Sequence, residues 1–403
     1  MKDNIEDPFG FQNFPKIYNR TSDLFIDLID LVKKAHIDNE EFVIDPTGLI
    51  TECKNRLKIA QSLYEADDQE TSYKKSGVIS LNLDSARYDE FTSSIVEKGS
   101  IRITLAPIGI KLEEFQKGLA HTFSTETCNR LDHAIEGAIL EAQKRGSNVI
   151  IFPELSLPRR SINRYLNLCA KHRIMLIAGM EYTVLPGRKA KNGTVISIPV
   201  NKNEHPLGLP YLAFEQIKHF PAAAEKQELL DTAGTPYEYY PGDSLFIFKS
   251  DKIGSFGVLT CSDFHSIRLR FKLQREIQTL YIPAQTFDNT TYKHLAEVSI
   301  RELHALTVVC NNPKLGSSFV YAPHYNHMQR SKLKKLGEAL PEFATIDIRP
   351  KDFLESQNED SQTHFRKKID DSFVFPKLKE VKQLPPDWGY DDMGKKRKKL
   401  KIG

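Results

Sequence analysis

Three features of the sequence predict an α/β fold. Short apolar runs, typical of buried strands, alternate with amphipathic helical patterns between residues 101 and 348. The chain has 403 residues, 40% of them hydrophobic, with 23 Phe and 15 Tyr, which is ample material for a large core. No segment repeats elsewhere in the sequence, so a repeat architecture is not expected.

The elements of the first half differ in length and pattern. The strands are continuous apolar runs, whereas the helices carry apolar residues at helical spacing, and Gly146 ends the longer helix. In chain order we predict a strand at 101–110, a helix at Thr125–Arg145, a strand at Asn148–Phe152, a helix at Ser161–His172 and a strand at 174–182.

The second half continues the alternation, and one of its strands runs directly into a cysteine. We predict strands at 193–200, 211–217 and Ser244–Phe248, a strand at 254–260 before Cys261, a helix at Ser266–Glu276, a strand at 279–284, a helix at Thr291–His304, and strands at 305–312, 317–323 and 342–348.

The rest of the chain is predicted to form two extensions of a core domain at 99–352. Residues 1–98 carry two helical patterns, Thr21–Ala35 and 48–66, and predict a helical N-terminal extension. Residues 353–403 predict a polar, basic tail. From Lys377 to Gly403, nine Lys/Arg against four Asp/Glu give a local +5 within a total of +3, so the remaining chain is close to neutral.

Composition argues against several classes of protein. A net charge of +3 is small for a dedicated nucleic-acid binder. No apolar stretch reaches the roughly 18 residues of a transmembrane helix, and the N-terminus lacks the apolar core of a signal peptide, so no membrane contact is expected. The five cysteines are odd in number, widely spaced and without a CxxC pair. This pattern suits reduced thiols and predicts a cytoplasmic protein.

Three polar residues each close a separate apolar strand. Glu154 follows VIIFP, Lys218 ends YLAFEQIK and Cys261 follows GSFGVLT. The ends of strands are where α/β proteins bind ligands, and a cysteine there could act as a nucleophile beside backbone N–H groups that bind an oxyanion. Taken singly, each also has an ordinary structural explanation, namely a loop or capping acid, a solvated lysine and a buried cysteine.

Taken together and in this order, the three segments resemble a known family. VIIFPELSLP around Glu154, IKHFPAAAEKQ around Lys218 and KIGSFGVLTCSDF around Cys261 resemble the motifs of the carbon–nitrogen hydrolase, or nitrilase, superfamily. YYPGDSLFIF before the cysteine strand and EFATIDIRP near the end also occur in the expected order. The resemblance covers roughly Ile101 to Asp352.

This resemblance implies an α-β-β-α sandwich, usually paired through a helix layer, and therefore a homo-oligomer. It implies that Cys261 forms a thioester-type acyl-enzyme, that Glu154 is the general base, and that Lys218 stabilises the tetrahedral intermediate together with the backbone N–H of Ser262. Glu225 matches the position of a supporting glutamate. No metal and no organic cofactor are implied.

The residues after the cysteine bear on which bond is cleaved. Ser262-Asp263 is closer to the amidase-like branches than the Trp-Glu of true nitrilases, which favours amide or N-carbamoyl hydrolysis of a small molecule. Nitrile hydrolysis by the same triad stays an alternative. The stretch from His265 to Arg268 departs from the family pattern, so the substrate is not implied, although His265 is a candidate to line the pocket.

A second alternative is a binding or regulatory protein of the same fold with little turnover, which would use its terminal extensions to engage a partner. The run KKRKKLK at 395–401 could contact a polyanion. A solvated chain end is the ordinary explanation for such a run.

Overall fold

The computed structural model describes residues 77–110, 114–116, 122–185, 187–201, 203, 205, 209–230, 236–323, 330–336, 342–349, 373–374 and 382–383. The two helices predicted at Thr21–Ala35 and 48–66, and the basic run at 395–401, lie outside these residues.

Two β-sheets form the centre of the described structure, and their strands are numbered in chain order. The seven strands of sheet I are, in spatial order, β1 (Val78–Asn82), β12 (Leu245–Lys249), β13 (Phe256–Val258), β14 (Thr279–Ala284), β15 (Leu306–Asn311), β16 (Ser318–Tyr321) and β17 (Ser331–Leu336).

Sheet II has eight strands. Seven of them follow one another across the sheet, and the eighth, β20 (Lys382–Gln383), pairs with β18 (Glu342–Ile348) outside that order. The others are, in spatial order, β10 (Tyr211–Ile217), β9 (Gly193–Pro199), β6 (Met175–Gly179), β5 (Val149–Ile151), β2 (Ile101–Leu105), β18 (Glu342–Ile348) and β19 (Phe373–Val374).

Two small sheets complete the strands of the described residues. One pairs β3 (Phe115–Gln116) with β4 (Thr122–Phe123), and the other has the order β11 (Glu238–Tyr239), β8 (Lys189–Lys191) and β7 (Thr183–Leu185). The helices of the described residues are α1 (Asp89–Lys98), α2 (Thr125–Lys144), α3 (Ile162–Lys171), α4 (Ala223–Leu230), α5 (Ile267–Leu273) and α6 (Asn289–Glu302), with short 3-10 turns at Ala86–Tyr88, Arg159–Ser161 and Cys261–His265.

Side chains alternate between the two faces of each strand, and this alternation builds the layers. In β5, Val149 and Ile151 pack in the core between the sheets, whereas Ile150 packs on the opposite face against α2 and α3. In β14, Tyr281 belongs to the inter-sheet core and Leu280 packs on the other side, against α5 and α6. The predicted α-β-β-α sandwich is therefore confirmed.

The sandwich begins earlier in the chain than predicted, since the sequence analysis expected the core domain to start at residue 99. Strand β1 pairs in parallel with β12 at the edge of sheet I. Tyr88, Phe91 and Ile95, from α1 and the turn before it, are buried in the inter-sheet core. Residues 77–98 thus belong to the sandwich rather than to a separate extension. Within the segment assigned to the tail, β19 and β20 pair with β18.

The helix that follows the cysteine is shorter than expected. The pattern from Ser266 to Glu276 predicts three turns, but α5 ends at Leu273. Arg275, in the turn that follows, has a φ of 62°, a left-handed conformation that cannot continue a helix. None of the helices in the described part of the chain combines the length and the hydropathy needed to cross a membrane.

Candidate active site

The three predicted residues lie beyond the carboxyl ends of strands in the two different sheets. Glu154 follows β5, and Lys218 follows β10, which runs in the same direction because β9 is antiparallel to both β6 and β10. Cys261 follows β13 of sheet I. The backbone N–H of Glu154 donates to the carbonyl of Ala284 at the end of β14, 3.3 Å away, and this contact joins the two sheets at the site.

Glu154, Lys218 and Cys261 form one contiguous buried cluster. Lys218 Nζ lies 2.7 Å from Glu154 Oε1, and the Glu154 carboxylate is close enough to the Cys261 thiol to raise its pKa. The exposed fractions of the three residues are 3% for Glu154, 0% for Lys218 and 6% for Cys261. Residues that are 64 and 43 positions apart in sequence are thus brought together around one thiol.

Glu225, the predicted supporting residue, lies in the first turn of α4 and contacts the same lysine. Its Oε2 accepts hydrogen bonds from Lys218 Nζ and, at 2.7 Å, from the backbone N–H of Ala222. The Tyr182 hydroxyl donates to its Oε1 at 2.7 Å. Lys218 therefore lies between two carboxylates, Glu154 and Glu225.

Asn192 is a member of the cluster that the sequence analysis missed. Its Nδ2 donates to Glu154 Oε1 at 2.7 Å and to Glu225 Oε1 at 3.0 Å, and its carbonyl accepts the N–H of Lys218 at 2.8 Å. Its Oδ1 is buried without a partner among the described residues. Asn192 immediately precedes β9, and a lone Asn before a strand carries no sequence signal that would have identified it.

Burial and the neighbouring charges shift the pKa values within the cluster. Burial raises the pKa of Glu154 above its ordinary value, although the charge of Lys218 opposes the rise. Burial alone would lower the pKa of Lys218, but Glu154 and Glu225 raise it well above the ordinary value. For Glu225, burial is outweighed by Lys218 and by the hydrogen bonds, so its pKa falls. Lys218 is therefore an ammonium group, and Glu154 is a more basic carboxylate than an exposed one.

Cys261 is protonated in the resting cluster and lies in a strained turn. Burial raises the pKa of its thiol, and the Glu154 carboxylate raises it further. Its φ is 46°, in the left-handed region that non-glycine residues rarely adopt. The next backbone N–H, that of Ser262, has no acceptor among the described residues, which leaves it available to an oxyanion.

Two neighbours of the thiol were also missed. The Tyr292 hydroxyl, from α6, donates to Cys261 Sγ at 3.2 Å, and the carbonyl of Gln285 lies 3.9 Å from Sγ. Burial raises the pKa of Tyr292 well above its ordinary value, and Cys261 adds to the rise, so the hydroxyl remains a donor.

Asp263 hydrogen-bonds across two segments, the 3-10 turn Cys261–His265, here called the cysteine turn, and residues 218–220, here called the lysine loop. The buried carboxylate accepts the backbone N–H groups of His219 at 3.0 Å and of Phe220 at 2.8 Å. The Ser262 hydroxyl donates to the carbonyl of Phe220. These contacts hold Lys218 and Cys261 at a fixed distance from each other.

A glycine is required where Glu154 approaches β6. A Cβ atom on Gly179 would lie 2.3 Å from the Cα of Glu154 and 2.7 Å from the backbone nitrogen of Leu155. Leu155 itself has a φ of 51°. The backbone on which Glu154 is mounted therefore fits only against a residue without a side chain.

His265 lies at the solvent-exposed end of the cysteine turn. Its ring centroid is 5.3 Å from that of Tyr292, with an angle of 72° between the planes. Burial lowers its pKa. It therefore contacts the tyrosine that donates to the thiol, and its predicted role in the pocket stays a prediction. Within the described ranges, no three His, Cys, Asp or Glu side chains are grouped so that they could hold a metal ion.

Comparisons with known proteins give similarities at the level of structure. Neither a family model nor a curated protein matches the chain. An amidase from Nesterenkonia sp. AN1, with the acetamide moiety of fluoroacetamide added covalently at its active-site cysteine, is 15% identical with a TM-score of 0.44, covering 65% of this chain and 95% of that one. Nit3 of Saccharomyces cerevisiae, a member of branch 10 of the nitrilase superfamily, is 15% identical with a TM-score of 0.46, covering 64% and 92%.

Another structure of the Nesterenkonia amidase shows Michael addition of acrylamide at the active-site cysteine, with 16% identity, a TM-score of 0.39 and coverage of 55% of this chain and 85% of that one. The solved structures named here are members of the nitrilase superfamily, the family that the sequence motifs resemble.

Proposed function

We propose that the chain is a carbon–nitrogen hydrolase that cleaves non-peptide amide or N-carbamoyl bonds through a cysteine acyl-enzyme. The supporting observation is the buried contact of one base, one cation and one thiol. The Glu154 carboxylate acts on the neighbouring Cys261 thiol strongly enough to raise its pKa, and Oε1 of Glu154 lies 2.7 Å from Lys218 Nζ. A nucleophile beside a base that a third group holds in place is the arrangement that nucleophilic catalysis uses.

The first half of the reaction forms the acyl-enzyme. Glu154 takes the thiol proton while Sγ of Cys261 attacks the carbonyl carbon, and the C=O π electrons move to the oxygen. Lys218 Nζ uses two of its three N–H donors on Glu154 and Glu225, which leaves the third for that oxygen. The backbone N–H of Ser262 is a second donor to the same oxygen. As the intermediate collapses, the C–N bond breaks, and Glu154 returns its proton to the departing nitrogen.

The second half releases the acid. Glu154 removes a proton from water, the resulting hydroxide attacks the thioester carbon, and the C–S bond breaks. The proton returns from Glu154 to the departing sulfur, which regenerates the thiol. One amide and one water thus give one acid and one amine. The raised pKa of Glu154 suits it to accept and return the proton in both halves.

The experiment that tests this function is intact-mass detection of a Cys261 adduct with amides, N-carbamoyl compounds and nitriles, paired with turnover assays. We expect an acyl adduct with one of the first two classes, and Cys261→Ala should keep its circular dichroism spectrum but lose both adduct and turnover. Turnover retained in Cys261→Ala would exclude the mechanism. A thioimidate formed only with nitriles would point to the nitrilase alternative, and no adduct with any class would favour the binding protein.

A further inference from the structure

Several large apolar side chains are exposed on the segments that surround Cys261. The exposed fractions are 47% for Phe220, 65% for Ile267 and 77% for Phe287. Single exposed apolar residues are ordinary on a protein surface, but several of them on the segments around one polar site can form a ligand-binding surface.

Phe220 is held beside the cysteine turn by its own backbone. Its N–H donates to Asp263 at 2.8 Å, and its carbonyl accepts the hydroxyl of Ser262. These partners, Ser262 and Asp263, are the two residues that follow Cys261 in the chain. The ring of Phe220 is therefore mounted on a backbone that touches the nucleophile's turn, on the side of the lysine loop.

Phe287 belongs to a second segment that lies next to the thiol. It is two residues beyond Gln285, whose carbonyl lies 3.9 Å from Cys261 Sγ. Two residues span at most about 7 Å of chain. The carbonyl of Phe287 accepts the N–H of Asn289 at 2.9 Å, which ties it to the start of α6.

His265 and Ile267 add a third segment. His265 is exposed at the end of the cysteine turn, with its ring 5.3 Å from Tyr292, whose hydroxyl reaches the thiol. Ile267 begins α5 two residues later. We call Phe220, Ile267 and Phe287 the apolar rim.

The charge of the interior cluster adds an electrostatic preference. The two carboxylates of Glu154 and Glu225 outnumber the single ammonium of Lys218, so the buried cluster carries a formal net negative charge. A substrate carboxylate brought close to it would be repelled, whereas an uncharged substrate would not.

We propose that the apolar rim binds the non-reacting end of the substrate, and that this end is an uncharged apolar group, for which a phenyl ring serves as the probe. The inference rests on the proposed function, because it takes Cys261 as the atom that the substrate must reach.

The rim can be tested apart from turnover by alkylating Cys261 in the full chain. Chloroacetamide and 2-chloro-N-phenylacetamide both form a thioether by displacing chloride, and they differ in the phenyl ring. After each rate is divided by the rate with free glutathione, we expect the phenyl reagent to react with Cys261 about tenfold faster, as partial burial of one ring predicts.

Phe220→Ala and Phe287→Ala should each lower this ratio several-fold. Leu140→Ala is the control, because Leu140 is 42% exposed on α2, which contributes no residue to the cluster around Cys261, so it should leave the ratio unchanged. A ratio near one in the unmodified protein, or a ratio that neither rim variant lowers, would overturn the inference.

Hydrolysis of acetamide and propionamide, measured in parallel, separates the two proposals. These substrates are too small to need the rim, so their turnover tests the proposed function alone. Turnover without the phenyl preference would reject the rim and keep the hydrolase. The phenyl preference without turnover of any amide would keep the rim as a binding surface and reject the hydrolase.

Discussion

The hydroxyl of Tyr292 donates a hydrogen bond to Sγ of Cys261 across 3.2 Å, and Tyr292 is only 2% exposed. Since the pKa of this tyrosine is raised by burial, the hydroxyl keeps its proton when the sulfur becomes negative. A donor aimed at the sulfur stabilises the thiolate more than the thiol.

We therefore expect Tyr292→Phe to slow alkylation of Cys261 at neutral pH by about 10- to 100-fold, because a hydrogen bond to a charged group contributes about 1.5–3 kcal/mol. The rate is followed by intact mass with iodoacetamide over a range of pH. Tyr281→Phe, the same change at a buried tyrosine of the inter-sheet core, is the control and should have no effect. An unchanged rate in Tyr292→Phe would mean that the contact does not act on the thiolate.

Cys261 should also be distinguished from Cys169 and Cys310, two of the other buried thiols. Burial raises the pKa of Cys169 and of Cys310 as it does for Cys261, but both are 0% exposed, whereas Cys261 is 6% exposed and lies beside Glu154, the proposed base. We expect iodoacetamide to label Cys261 at least tenfold faster than either. Peptide mapping after short labelling measures this difference, and equal labelling of the three would argue against an activated cysteine.

As the pH is lowered, activity should be lost at a higher pH than a base with the pKa of an ordinary glutamate would give. The mechanism needs the Glu154 carboxylate, so activity is present above the pKa of Glu154 and is lost as the pH falls through it. Because burial raises this pKa, the acid limb of kcat/KM should lie above the roughly 4.3 of a free glutamate. Circular dichroism at each pH controls for unfolding. An acid limb at or below that value, with the fold intact, would remove Glu154 from the role of base.

Gly179→Ala should damage the site without touching a side chain in it. The added Cβ would lie 2.3 Å from the Cα of Glu154, so the backbone of one residue or the other must move. We expect a loss of about 2–4 kcal/mol in the free energy of unfolding and a fall of about 100-fold in kcat, since a displacement of about 1 Å can cost that much.

Gly99→Ala is the control for that change. Gly99 has a φ of 67° and open space around it, so alanine there should cost only about 1 kcal/mol and leave kcat unchanged. Denaturant unfolding and steady-state kinetics measure both variants. A Gly179→Ala protein as stable and as active as the control would show that the close approach is not needed.

The sequence predicted those parts of the site that lie at the ends of strands. Glu154, Lys218 and Cys261 each follow a continuous apolar run, and the segments around them resemble the motifs of one family, so their roles could be proposed before their contacts were known. Asn192 and Tyr292 could not be identified in this way. Asn192 precedes a strand and Tyr292 lies within a helix, and each reaches the cluster only because two sheets and a helix layer pack together.

The prediction of the fold was limited in the same way. Central strands such as β14 and β15 are buried throughout and read clearly as apolar runs. Strand β1 lies at the edge of its sheet, and its residues are half-buried or exposed, so VISLN gives little signal of a strand. The division at residue 98 separated this strand and α1 from the sandwich for that reason.

The left-handed backbone at Cys261 means that the residue best suited to the proposed reaction is not the residue best suited to the stability of the fold. A φ of 46° costs a non-glycine residue about 1–2 kcal/mol, and glycine would avoid that cost but has no sulfur. Among inactive replacements, glycine should therefore melt above alanine, although alanine buries more surface. A library at this position that was sorted by melting temperature alone would select against the one side chain that the proposed reaction requires.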